Sequence, residues 1–141
     1  MISTTGEYAL RAAAYLSQHD GEPQTSAQIA EGTKVPQGYL SKVLQQLVRA
    51  GLVSSQRGIH GGFVLARPTA EITVLDVLRA VDSAPARITK CPLGIEEHAG
   101  LCPVHKLVDE AMAAIEAAFA ASNLETLMRS ATSDSALCES H

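Results

Sequence analysis

The sequence predicts a mainly α-helical chain with one small β-hairpin: a winged helix-turn-helix followed by a long C-terminal helix that serves dimerisation. Three observations carry this prediction. Thr25 to Gly51 spells two helices joined by a short turn, the second the longer. Two strand-like runs follow and flank a hexapeptide with three glycines, Arg57-Gly58-Ile59-His60-Gly61-Gly62. Further on, Pro103 to Ser122 keeps its apolar residues at helical spacing throughout.

Taken in order, Thr4-Thr5-Gly6-Glu7 has the T-x-x-E form of a capping box and predicts a first helix through Tyr8, Leu10, Ala13, Ala14 and Leu16. That helix is the expected floor of the helix-turn-helix. Asp20-Gly21-Glu22-Pro23 is a turn. A second capping box, Thr25-Ser26-Ala27-Gln28, opens a short helix with Ala27, Ile29 and Ala30 inward, ended by Gly32-Thr33. Pro36 suits the first position of a third helix, where a missing N–H costs nothing. Tyr39, Leu40, Val43, Leu44, Leu47 and Val48 form its apolar stripe, and Gly51 closes it.

Leu52 to Gln56 and Phe63 to Ala66 are the wing strands, with Arg57 and His60 hanging from the tip. Thr73 caps the next helix, whose inward residues are Val74, Val77, Leu78 and Val81, with Ile72 placed to staple onto Val77. Ser83 to Lys90 is a loop, and the glycines and prolines between Cys91 and His105 extend it as a compact irregular segment.

The Pro103–Ser122 helix is about 30 Å long at ~1.5 Å per residue. Val104, Leu107, Val108, Ala111, Met112, Ile115, Ala118 and Phe119 give it a longer apolar face than a small winged helix can cover, so a symmetry mate is expected against it. Asn123 caps a short piece ending near Leu127. The expected organisation is 1–82 as the winged helix-turn-helix DNA-binding domain, 83–102 as a cysteine-containing sensor loop, 103–128 as the dimerisation helix and short terminal helix, and 129–141 as a disordered tail.

Composition bounds the function. The chain is 46% hydrophobic and only 4% aromatic, without Trp, so its core must be aliphatic. It has no run of 18 apolar residues and no leader of the charged-then-apolar kind, which predicts a cytoplasmic protein without membrane association. An odd count of three cysteines favours metal or redox chemistry over structural bridges in that compartment. Net charge is −4, yet residues 1–70 hold six basic and four acidic side chains, a balance of +2, while residues 71–141 hold five and eleven, a balance of −6. Positive charge therefore lies with the helix-turn-helix. There is no Ser/His/Asp constellation and no phosphate-binding glycine loop, so an enzyme is not expected.

At the start of the third helix, Gln37, Tyr39, Ser41 and Lys42 are the expected base readers. Glutamine pairs bidentately with adenine, lysine reaches guanine or phosphate, and serine bonds to either. Tyr39 is equally suited to packing or to touching phosphate. Lys34 and Arg49 suit phosphate contact or a solvated face. Arg57, Gly58 and His60 complete the DNA-facing set, with the glycines serving the turn.

Tyr39-Leu40, Gly51-Leu52-Val53-Ser54-Ser55 and Arg57-Gly58-x-x-Gly61-Gly62-Phe63-x-Leu65-Ala66 resemble the bacterial winged-helix iron–sulfur and redox transcription regulators that include IscR and NsrR. The similarity runs from about Ile2 to about Leu127. It implies a homodimer on a two-fold symmetric duplex operator, acting as a repressor, with Arg57 in or at the rim of a narrow A·T-rich minor groove.

Relatives hold an iron–sulfur cluster with three cysteines of the downstream loop. This chain has two, Cys91 and Cys102; the middle position falls on Glu97, next to His98. Histidine is an accepted ligand of 2Fe–2S clusters. The resemblance makes His105 the third ligand, with His98 and Glu7 competing for the fourth, Glu7 supplied by the partner subunit from just before Tyr8. Glu7 fits equally as the reciprocal half of the Thr4 capping box, and His98 as an exposed loop residue. Zinc on Cys91, His98, Cys102 and His105 is the alternative cofactor. A bare dithiol is the third possibility, and Cys138 is a bystander. A protein-docking module with a zinc or dithiol loop is the competing function.

Overall fold

The computed structural model describes residues 2–91 and 100–131. Helix α1 spans Thr4–Gln18, but its cap is Ser3, whose Oγ accepts from the Gly6 N–H at 3.0 Å. The Thr4–Glu7 capping box is therefore not formed. With Ser3 as cap the reciprocal position falls on Gly6, which has no side chain, and the Glu7 carboxylate instead takes Arg11 one turn on, at 2.5 Å. Ala9, Ala12, Ala13 and Leu16 are buried, and the small alanine side chains let four later helices close onto α1.

Helix α2 (Ser26–Thr33) has the expected capping box. Gln28 N–H reaches Thr25 Oγ1 at 3.2 Å, and Thr25 N–H reaches Gln28 Oε1 at 2.9 Å. Ile29 is buried and Ala30 partly so, but Ala27 is exposed, because so short a helix turns only one line of residues to the core. Lys34 ends it in the left-handed conformation.

Helix α3 (Gln37–Arg49) takes Pro36 as its cap, not as its first residue. Leu40, Val43, Leu44 and Leu47 are buried, each stabilising the fold by about 1.5–3 kcal/mol. Gly51 (φ 77°) turns the chain off the helix: its N–H bonds the Val48 carbonyl and that of Leu52 bonds Leu47, both at 3.0 Å.

Strands β1 (Val53–Gln56) and β2 (Gly62–Leu65) pair antiparallel from Val53↔Leu65 to Gln56↔Gly62. Both are one residue shifted or shorter than expected. A third strand position appears just after the Asp20–Pro23 turn, where the sequence suggests no strand: Gln24 exchanges both backbone bonds with Phe63, at 3.0 and 2.7 Å. Gly62 (φ 146°) makes this possible, since a Cβ there would lie 2.5 Å from the Gln24 carbonyl oxygen.

After a 3-10 turn at Thr69–Glu71 comes α4 (Val74–Ala80), with Thr73 and Asp76 forming a reciprocal capping box and Ile72 and Val77 both fully buried. Helix α5 (Pro103–Ala121) stops one residue short of Ser122 and has no buried residue. Val104 and Leu107 are 68% and 67% exposed. Its far end is tied back to α4, with Val74 N–H on the Ser122 carbonyl at 2.8 Å and Leu124 N–H on Ile72 at 2.9 Å. Helix α6 (Leu124–Ser130) runs past Leu127, because Glu125 and Arg129 pair at 2.8 Å along it. Residues 132–141 of the expected tail, Cys138 among them, lie outside the described residues, as do Glu97 and His98.

Candidate functional site

Two groups of side chains stand out. The first lies on α3 and the wing. Burial of Leu40, Val43, Leu44 and Leu47 turns Gly38, Ser41, Lys42, Gln45 and Arg49 outward in one exposed strip, with Gln37 exposed at its start. Ser41 Oγ donates to the Gln37 carbonyl at 3.1 Å, leaving its oxygen free to accept. Tyr39 packs edge-on to Tyr8 of α1, centroids 5.7 Å apart, and still exposes 54% of its surface. Arg11 lies over the other ring of that pair, 5.8 Å from its centroid. Arg57, Gly58 and His60 are all exposed at the wing tip.

Gln45 joins the α3 strip beyond the expected set, and the sequence carries a sharper charge signal than the two half-chain balances. From Gly32 to Ala70 the chain carries Lys34, Lys42, Arg49, Arg57 and Arg67 and no acidic residue. This acid-free stretch contains α3 and the whole wing, which is the electrostatic footprint phosphates require.

The second group lies where the loop after α4 meets α5. Cys102 stands immediately before Pro103, the first residue of α5, and His105 is in its first turn. Cys91 comes in from the loop. The sulfurs and a ring nitrogen of these three residues lie within 4.8 Å of one another. His105 Nδ1 is 3.0 Å from Cys102 Sγ and 3.7 Å from Cys91 Sγ. All three are partly buried. Glu7 is not among them within one chain, being held by Arg11.

The loop reaching Cys91 is fastened twice. Asp82 adopts a left-handed turn (φ 53°), and Ser83 follows with its N–H on the Leu78 carbonyl at 2.8 Å and its hydroxyl 2.7 Å from that of Ser3. Gly6 leaves room for that contact, since a Cβ there would strike Ser83 Oγ. Further along, the Arg87 guanidinium donates to both Asp109 oxygens at 2.8 and 2.9 Å, and the Ile88 N–H adds a third bond at 2.8 Å. The Arg87 and Ile88 donors hold the Asp109 carboxyl at about 2, well below the usual carboxylate range.

A winged helix with a basic exposed face and a cysteine–histidine cluster at the root of an exposed helix is the architecture of a class of DNA-binding regulators, and the relatives of this chain fall in that class. The chain belongs to the Rrf2 family, described as iron-dependent transcriptional regulators, whose profile matches residues 2–130. Its members are transcriptional regulators, not enzymes. T. potens IscR superposes with a TM-score of 0.78 at 28% identity, covering 94% of this chain and 88% of that one. CymR, described as the global cysteine regulator of B. subtilis, gives 0.77 at 28% identity and covers 94% and 98%. The HTH-type transcriptional regulator Rv1287 of Mycobacterium tuberculosis is 35% identical over 109 residues, 77% of this chain. The chain spans 66% of that regulator, just under two thirds of its length. Among the described residues no helix is long and apolar enough to cross a membrane.

Proposed function

We propose that the chain acts as a homodimeric repressor that reads a two-fold symmetric duplex through α3 and the wing, its affinity set at Cys91, Cys102 and His105. The observation that carries the sensing part is the convergence of those three donors within 4.8 Å. Two thiols and an imidazole are soft and borderline donors, which suit an iron–sulfur cluster or zinc and not magnesium or calcium.

The donor set fits a 2Fe–2S cluster on Cys91, Cys102 and His105, with Glu7 of the partner subunit or His98 as the fourth ligand. Such a cluster, when bound, supplies a one-electron couple whose potential histidine ligation raises. Everything else is done by the chain. Cys102 and His105 move with α5, whereas Cys91 lies on the loop just beyond its Arg87 and Ile88 fastening to Asp109, so a change in what holds the three together strains that fastening between loop and helix. The loop leads to α1 through Ser83 and Ser3, and α1 leads to α3 through Tyr8 and Tyr39. The far end of α5 leads to α4 through Ser122 and Val74. Paired α5 helices in a dimer would convert that shift into a changed spacing of the two α3 helices.

A second reading is favoured by the same distance. Two free sulfurs this close can lose two electrons and two protons to a peroxide-type oxidant and form a disulfide, giving a switch without metal.

Duplex selection from a random library tests the DNA reading. A palindromic consensus is expected, with affinity falling steeply as salt rises, and Lys42→Ala should reduce the salt slope by about 1. Absence of any enriched duplex, or salt-independent capture of protein partners, would move the function to a docking module.

A further inference from the structure

Ile59 stands at the tip of the wing with 99% of its surface exposed. Gly58 before it takes φ 109°, and the Gly61 N–H closes the tip beneath it on the Gly58 carbonyl at 3.0 Å. The turn thus holds a large aliphatic side chain out into solvent between Arg57 and His60, both exposed as well. A lone exposed aliphatic is ordinary on a protein surface. This one differs in its setting. It lies inside the acid-free stretch from Gly32 to Ala70, and it is flanked by donors suited to phosphate or groove acceptors. Being β-branched it is stiff at χ1, so little side-chain freedom is lost when it is gripped.

Resting on the DNA reading above, we propose that Ile59 is a specificity residue that enters the minor groove beside Arg57. An A·T floor presents only the adenine N3 and thymine O2 acceptors, while the groove walls are deoxyribose carbons on which an aliphatic group packs. A G·C pair adds the guanine N2 amino group to the floor, which occupies the space and would be stripped of water without gaining an acceptor. Minor-groove proteins do bring apolar side chains, isoleucine among them, against the bases, there as wedges between base steps. Arg57 supplies attraction to the narrow groove, and Ile59 supplies rejection of the wrong base pair.

The test uses the duplex selected from a random library by the wild-type chain, with the base pairs under the wing located by hydroxyl-radical protection. Those A·T pairs are replaced by G·C, or by inosine·cytosine, which lacks the N2 amino group. Wild type should bind the G·C duplex about tenfold more weakly and recover on inosine·cytosine. Ile59→Ala should lose about tenfold on A·T and keep only the smaller preference for A·T over G·C that Arg57 gives. Arg57→Ala should weaken binding as well, and more on A·T than on G·C, because its attraction is to the narrow groove. An unchanged A·T to G·C ratio in Ile59→Ala, with Arg57→Ala still weakened, would overturn the role of Ile59 and leave the DNA reading standing. If no duplex is selected, the DNA reading itself falls and this proposal with it. Position 59 is fully exposed, so the variant should match wild type in circular dichroism and melting.

Discussion

Asp109 and Arg87, 22 residues apart in sequence, join through two parallel hydrogen bonds of 2.8 and 2.9 Å. Asp109 lies one helical turn beyond His105 on α5, so the loop delivering Cys91 is fastened to the helix that carries the other two donors. The clasp bonds none of the three donors itself but fixes the loop from which Cys91 reaches the other two. A group bonded directly to a ligand commonly contributes about 10–100-fold in metal affinity, which bounds what the clasp can contribute. Asp109→Asn keeps the shape and removes the charge. Expected is about a tenfold or greater loss of Co²⁺ affinity, used as a spectroscopic probe of the thiolate site, with faster amide exchange at Ile88. Unchanged affinity would show that the loop is held elsewhere. The acid limit follows from the sign of the shift. A carboxyl at about 2 in the folded chain, below its ordinary 3.8, stabilises the fold fully above about pH 4 and loses that contribution as pH falls through about 2. A carbon-13 titration of Asp109 should therefore stay flat down to about pH 3.

The cofactor is settled by protein purified without oxygen. Iron and acid-labile sulfide in equal amounts, with visible absorption, are expected for wild type. Cys91→Ala and Cys102→Ala should abolish both, because each removes a thiolate from a set with only two. His105→Ala should shift the absorption and weaken retention, since nitrogen and sulfur donors differ in field. Glu7→Ala separates the fourth-ligand candidates, and loss of cluster there implicates Glu7 of the partner subunit. Stoichiometric zinc without sulfide would replace the cluster with zinc. A metal-free protein whose DNA binding follows thiol oxidation would leave the dithiol switch.

Much of this architecture was legible because it is local. The capping box at Thr25, the cap at Thr73, the glycine at 51 and the hairpin glycines each act over a few residues, and the structure forms all of them, adding at Thr73 the reciprocal bond from Asp76. Sequence and structure part where two local solutions compete or where the partner is distant. Ser3 and Thr4 can both cap α1, and only the fold, through Ser83 bonded to Ser3, shows which does. Gln24 pairs with Phe63 as a single residue, too short to leave a periodic trace. Tyr39 sits at the edge of the α3 stripe, where periodicity cannot distinguish an inward side chain from one leaning on Tyr8. Cys91, Cys102 and His105 were recognised by residue type and resemblance, but the Arg87–Asp109 clasp positioning them spans 22 residues and has no sequence signature.

Gly62 and Gly51 offer a stability test with an internal control. Both have positive φ, at 146° and 77°. Around Gly51 a Cβ would meet open space, whereas at Gly62 it would meet the Gln24 backbone at 2.5 Å. Gly51→Ala should cost about 1 kcal/mol from backbone strain alone, and Gly62→Ala about 1–3 kcal/mol or more, since the Gln24–Phe63 bridge must also open. Thermal melts should rank them in that order, several degrees apart. Equal melting points would mean that the bridge contributes nothing to holding the wing.

The dimer prediction rests on the part of α5 the rest of the chain leaves bare. Val104 and Leu107 expose about two thirds of their surfaces, and Val108 exposes 39%. In a monomer, Leu107→Glu replaces one solvated side chain with another and should leave melting and circular dichroism almost unchanged. In a dimer pairing these helices, the same change buries an uncompensated carboxylate, which costs several kcal/mol and exceeds what a small interface can absorb. Sedimentation should then give a monomer, and operator affinity should collapse because one α3 reads only a half-site. Phe119→Glu should act in the same direction but also disturb the fold, since Phe119 is partly covered within its own chain. A Leu107→Glu variant that remains dimeric and binds the palindrome as wild type does would place the two-fold axis on another surface of the molecule.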